Sequence, residues 1–173
     1  FIKGFELSEL GRHKKALKTY KKIIKLFPQV AVAWFYKGFE LSKLGRHKKA
    51  LKAYEKAIEI YPQYAEAWSN KGFELSKLGR HKDALKAHKK AIEINPQFAL
   101  AYTNLGELFF KLGNLKKASE NVEKALNIER DLVPALSLQG RIKIEEKDYD
   151  AASEYFKKAM SLDIDNPKHF LWD

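Results

Sequence analysis

The sequence predicts an all-α solenoid of stacked helix-turn-helix hairpins, and three observations predict it. The chain repeats itself with a period of 34 residues: Ala31–Tyr64 and Ala65–Phe98 are identical at 26 of 34 positions. In the same frame Gly4, Gly38, Gly72, Gly106 and Gly140 fall in register, as do Ala16, Ala50, Ala84, Ala118 and Ala152. Within each period the apolar residues recur at helical spacing, interrupted once, and no alternating strand pattern competes.

The interruption defines the hairpin. Trp34, Gly38, Leu41 and Leu44 belong to a first helix. Gly45 follows, where a left-handed cap favours glycine. Ala50, Leu51, Tyr54, Ala57 and Ile58 belong to a second helix, which Pro62 terminates because proline cannot continue a helix interior. Pro134 falls at a helix start, where its missing amide proton costs little. The frame divides the chain into an N-terminally incomplete repeat at 1–30, complete repeats at 31–64, 65–98, 99–132 and 133–166, and the opening of a further helix or cap at 167–173. An incomplete first repeat that opens on Phe1 reads as a fragment or processed form. One hairpin cannot bury its own apolar face, so stacked neighbours share a core.

These residues resemble the tetratricopeptide repeat family, whose pattern places Trp, Leu-Gly, Tyr, Ala, Phe and Pro at fixed offsets. Trp34, Gly38, Ala50, Tyr54 and Pro62 follow it, then Trp68, Gly72, Ala84, His88 and Pro96. Tyr102, Leu105, Gly106, Phe109 and Ala118 follow it more loosely, as do Gly140, Ala152 and Phe156. Lys37 and Lys71 replace the family's Leu, and His88 and Val122 its Phe. The resemblance covers essentially the whole chain. It implies a right-handed superhelix with first helices lining a concave face, a non-catalytic interaction scaffold, and a cytoplasmic location.

Composition removes several chemistries. With no cysteine, disulfides, thiolate metal sites and cysteine nucleophiles are excluded. No apolar run reaches the roughly 20 residues that span a bilayer. The glycines stand singly, without a phosphate-cradling loop. The acidic run around Glu145, Glu146, Asp148 and Asp150 lacks the alternating ligands of a calcium loop. His13, His47 and His81 recur with the period, but equivalent points on successive hairpins lie roughly 16 to 20 Å apart, too far to share a metal. They are read as histidines packed at the hairpin tips, and His88 as a core ring. No enzyme, cofactor or metal is therefore expected.

Lys37 and Lys71 are each followed three residues later by a glutamate, Glu40 and Glu74. Residues three apart are helix neighbours, so the lysine is expected to cross the seam and pair with its glutamate. One repeat on, both members change together, to the apolar Leu105 and Leu108, and then to Gln139 and Ile142.

The concave face that the resemblance implies would carry Phe5, Phe35, Tyr36, Phe39, Lys43, Asn70, Phe73, Lys77, Asn104, Glu107 and Lys111. Such a row suits a peptide or protein partner with apolar anchors and some acidic groups. Some family members hold a terminal carboxylate in a lysine and asparagine clamp. Asn70 and Asn104 resemble part of it, but Phe39 and Phe73 stand where its first asparagine would be, so a clamp is not expected.

Charge offers two alternatives. Residues 1–98 carry 22 Lys and Arg against 9 Asp and Glu, a net +13, whereas 99–173 carry 11 against 13, a net −2. That polarity suits a self-assembling array stacked head to tail as a homo-oligomer. The basic half also suits nucleic acid or another anionic surface, although nucleic acid is disfavoured because the aromatic residues are committed to helix seams.

Overall fold

A computed structural model describes residues 1–164, and the expected opening of a further helix at 167–173 lies outside them. Among the described residues there are ten helices and no strand. They are α1 (Ile2–Glu9), α2 (His13–Leu26), α3 (Ala31–Lys43), α4 (His47–Ile60), α5 (Ala65–Lys77), α6 (His81–Ile94), α7 (Ala99–Lys111), α8 (Leu115–Ile128), α9 (Val133–Glu145) and α10 (Tyr149–Ile164). The chain forms two compact units, Phe1–Asn95 and the part from Pro96 onward.

In the first unit α1–α2, α3–α4 and α5–α6 are antiparallel pairs; α2 packs on α3, α4 packs on α5, and α3 touches α5 directly. The second unit repeats the arrangement with α7–α8 and α9–α10, α8 packing on α9 and α7 touching α9. This is an all-α solenoid of stacked hairpins.

The turn within each hairpin is a glycine cap. After α3, Gly45 adopts φ +67° and donates its N–H to the Ser42 carbonyl at 2.9 Å, while the Arg46 N–H reaches the Leu41 carbonyl at 2.8 Å. These two bonds satisfy carbonyls that the helix end leaves open. In the last hairpin Lys147 holds the equivalent place at φ 63°. Between hairpins the indole does the tying: Trp34 Nε1 donates to the Pro28 carbonyl at 2.8 Å, and Trp68 Nε1 to that of Pro62 at 2.9 Å. Trp34 and Trp68 are half-buried clamps on the loop before their helix, so the centre of the seam is filled by other residues.

That centre is the meeting of each first-helix glycine with a side chain from the second helix of the same hairpin. A Cβ on Gly38 would lie 2.7 Å from the ring of Tyr54, and one on Gly72 2.6 Å from the ring of His88. Tyr54 and His88 are each 1% exposed, so neither ring has room to retreat. The alanines Ala16, Ala50, Ala84 and Ala118 are fully buried in the same seam.

Replacing Gly38 by Val should therefore destabilise the fold by about 1 to 3 kcal/mol through overpacking, despite valine's better helix propensity than glycine's. Urea unfolding would read this as a lower midpoint. An unchanged midpoint would show that the seam is loosely packed.

Candidate functional site

The first helices of the first unit carry an aromatic cluster that joins successive hairpins. Tyr36 stacks on Tyr20 of the preceding hairpin, centroids 5.3 Å apart with the planes 11° from parallel. Phe35 meets Tyr36, Tyr54 and Tyr64 at 5.0 to 5.8 Å. Burial, and then the Glu40 carboxylate, push the Tyr20 hydroxyl up to about 12. Burial likewise raises Tyr54, whose oxygen accepts a long bond from Asn70 Nδ2 at 3.4 Å. Of the expected face residues, Phe35, Tyr36 and Asn70 are thus engaged in holding the hairpins together.

Phe39 and Phe73 are placed differently. Each is half-buried one helical turn before a lysine, and the Lys43 ammonium lies 5.5 Å from the Phe39 ring centroid, that of Lys77 5.3 Å from Phe73. A cation over the face of a ring is attracted by its quadrupole. The same Phe–Lys pair thus recurs on α3 and α5, with both lysines exposed. Phe5 occupies the equivalent place on α1 and is 51% exposed.

In the second unit Glu107 accepts from Arg141 Nη1 at 2.8 Å, and Lys111 Nζ approaches it at 3.9 Å. The Arg141 guanidinium also lies 4.5 Å from the Phe110 centroid. Asn104 is half-buried on the same helix. Arg141 is not among the residues expected on this face. The available signal is its position one full repeat after Glu107, which puts opposite charges on adjacent first helices.

The pairing of Lys37 with Glu40 is not formed. Glu40 is fully buried, and its Oε2 bonds His13 Nδ1 of the preceding hairpin at 2.8 Å; Glu74 is equally buried and bonds His47 Nδ1 at 2.8 Å. The reason is direction: this glutamate enters the seam between hairpins, whereas the lysine lies back over the tryptophan three residues before it. Lys37 Nζ sits 4.1 Å from the Trp34 centroid, and Lys71 Nζ sits 5.2 Å from Trp68 and 3.3 Å from Glu55. Burial, followed by the Lys21 ammonium, lowers the affinity of Lys37 for its proton.

The tip histidines are therefore more than packing residues, since His13 and His47 each cross to a buried carboxylate on the first helix of the next hairpin. For His81 the corresponding position holds Leu108, and its buried Nδ1 has no hydrogen-bond partner. In the second unit the equivalent positions are Leu115 and Ile142, both apolar. No group of three or more His, Asp or Glu side chains that could hold a metal occurs among the described residues.

Replacing His47 by Leu should cost about 2 kcal/mol, because the Glu74 carboxylate would stay buried without its donor; the figure is discounted for a histidine side chain 34% exposed. Adding Glu74→Ile, which copies the apolar pair of the second unit, should recover most of that loss in chemical denaturation. A double variant no better than the single one would contradict this account. His88 carries a separate expectation. Burial lowers its pKa from 6.5 to about 4, so between those values the unfolded chain binds more protons than the folded one. Stability is full above pH 6.5 and falls as pH drops towards 4, by up to about 3 kcal/mol. His88→Phe should remove that component from a pH series of urea midpoints.

Comparison with known proteins agrees with this geometry. Tetratricopeptide-repeat family models match residues 1–30, 31–64, 65–98, 89–118 and 133–166. No curated protein sequence matches the chain. Among solved structures, MamA is similar at 26% identity and TM-score 0.71, with 96% of this chain and 97% of that one covered. TTC0263, a thermophilic TPR protein of Thermus thermophilus, is similar at 24% identity and TM-score 0.86, with 96% and 89% covered. YrrB, a TPR protein with an unusual peptide-binding site, is similar at 22% identity and TM-score 0.62, with 95% and 85% covered. With repeat models matching most of its length and the glycine-to-side-chain seam in every hairpin, the chain belongs to the tetratricopeptide repeat family.

Proposed function

We propose that this chain is a protein-interaction scaffold without chemistry of its own, and that it binds an extended peptide or a partner's helix along the face of its first helices. The observation that carries the reading is the repeated Phe–Lys pair, Phe39 with Lys43 and Phe73 with Lys77. Each ring is only half-buried and each ammonium is exposed, so the pairs offer apolar area beside positive charge at a regular interval. A partner with apolar anchors and acidic side chains fits that pattern, since aromatic anchors bring most of the energy and charge sets register. Phe5 extends the row at one end of the first unit.

The test is affinity capture with the wild-type chain beside a Phe39→Ala, Phe73→Ala variant. Truncating two anchors should weaken a recovered partner by roughly 30-fold or more, at about 1 kcal/mol or more for each ring. The circular dichroism spectrum should stay unchanged, because neither ring lies at a glycine seam. Recovery of the same proteins in the same amounts by both chains would refute the assignment.

A further inference from the structure

The charge of the first unit is separated between its two kinds of helix. On α1, α3 and α5 five lysines are matched in number by five glutamates, so those helices carry no net charge. The whole net +13 of residues 1–95 therefore resides on α2, α4 and α6 with the arginines Arg12, Arg46 and Arg80 that precede them. Nearly half of it stands unopposed on one helix. α2 holds Lys14, Lys15, Lys18, Lys21, Lys22 and Lys25 and no acidic residue, and all six lysines are exposed.

At 100° per residue these six lysines occupy an arc of about 120°, centred opposite the buried Ala16, Leu17 and Tyr20. Leu26 falls at the edge of that arc and is 71% exposed; Phe27 follows it at 60%. α4 and α6 repeat the stripe with Lys48, Lys49 and Lys52 and with Lys82, Lys86 and Lys89, all exposed, and α4 ends on the 52% exposed Tyr61.

We propose that this second-helix face of the first unit, centred on α2, docks on the anionic lipid headgroups of a bilayer surface, with Leu26 and Phe27 entering the interface. Charge complementarity selects an anionic occupant: the α2 lysines are extended point charges that attract diffuse negative surfaces. The apolar edge selects lipid over nucleic acid. Bases would need aromatic platforms among the lysines, and α2 presents none there, whereas a headgroup layer accepts an aliphatic and an aromatic side chain together. The face is separate from the Phe–Lys row on α3 and α5, so it leaves that row open to a protein partner.

The probe is sedimentation of the full chain with vesicles of phosphatidylcholine alone, or of the same lipid with about a third phosphatidylserine. Binding is expected only to the anionic vesicles, falling as salt is raised. The triple variant Lys18→Glu, Lys22→Glu, Lys25→Glu should bind roughly tenfold more weakly or worse. Leu26→Ser with Phe27→Ser should weaken binding while keeping its salt dependence. Lys43→Glu with Lys77→Glu, on the other face, should leave lipid binding within about twofold, which separates this result from the fate of the partner-binding proposal. Circular dichroism checks that each variant folds. Absent vesicle binding, equal binding to neutral vesicles, or α2 variants that bind as the wild type would each overturn the proposal. Binding to duplex DNA without binding to vesicles would overturn it in favour of nucleic acid.

Discussion

The structure depends on how closely the two helices of a hairpin approach. A glycine on the first helix leaves room for one side chain of the second: Tyr20, Tyr54, His88, Val122 or Phe156. Only the absence of a Cβ allows a phenol, an imidazole or a phenyl ring to lie there, because nearly every alternative would occupy the same volume. Val122, the smallest of the five, still lies 3.0 Å from where a Cβ on Gly106 would stand. Fixing this distance fixes the angle of the hairpin, and the angle decides which residues face the next one.

Stacking then places polar groups where a single hairpin would keep them wet. Glu40 and Glu74 are buried by the preceding hairpin, and a buried carboxylate is costly unless something bonds it. His13 and His47 do so for one oxygen of each, while Oε1 of both glutamates remains without a hydrogen bond. Such a pair favours one register of neighbour on neighbour more than it adds stability, since an apolar pair of similar size fills the equivalent positions at Leu115 and Ile142. At these two positions the first unit thus has a polar cross-link where the second has an apolar pair.

The two helix layers also divide the chemistry of the surface. First helices of the first unit balance their charges and expose aromatic residues in part; second helices carry the positive charge. The division follows from burial. A first helix touches neighbours on both sides and keeps few exposed positions, whereas a second helix leaves a broad arc to solvent, which lysine occupies at little cost.

Much of this was legible in the sequence. Helices, turns and repeat frame follow from short-range physics: apolar periodicity, the positive φ that glycine accepts at Gly45, and the amide proton that Pro62 lacks. The buried glycine and alanine columns were also legible, because they recur at one spacing. The partner of Glu40 was not, since Lys37 is its neighbour along the helix and His13 belongs to the hairpin before. A clue existed in the columns, where Leu108 and Ile142 show that the glutamate position is an interior one. Nor did local pattern distinguish Phe35, locked among tyrosines, from Phe39, left half-open beside a lysine; both are phenylalanines on one helix. Local sequence determines which segments fold into hairpins, because its causes act within a few residues. The tertiary stack alone decided which polar groups meet and which rings stay accessible, because those outcomes depend on side-chain directions across a seam that does not exist until two hairpins pack.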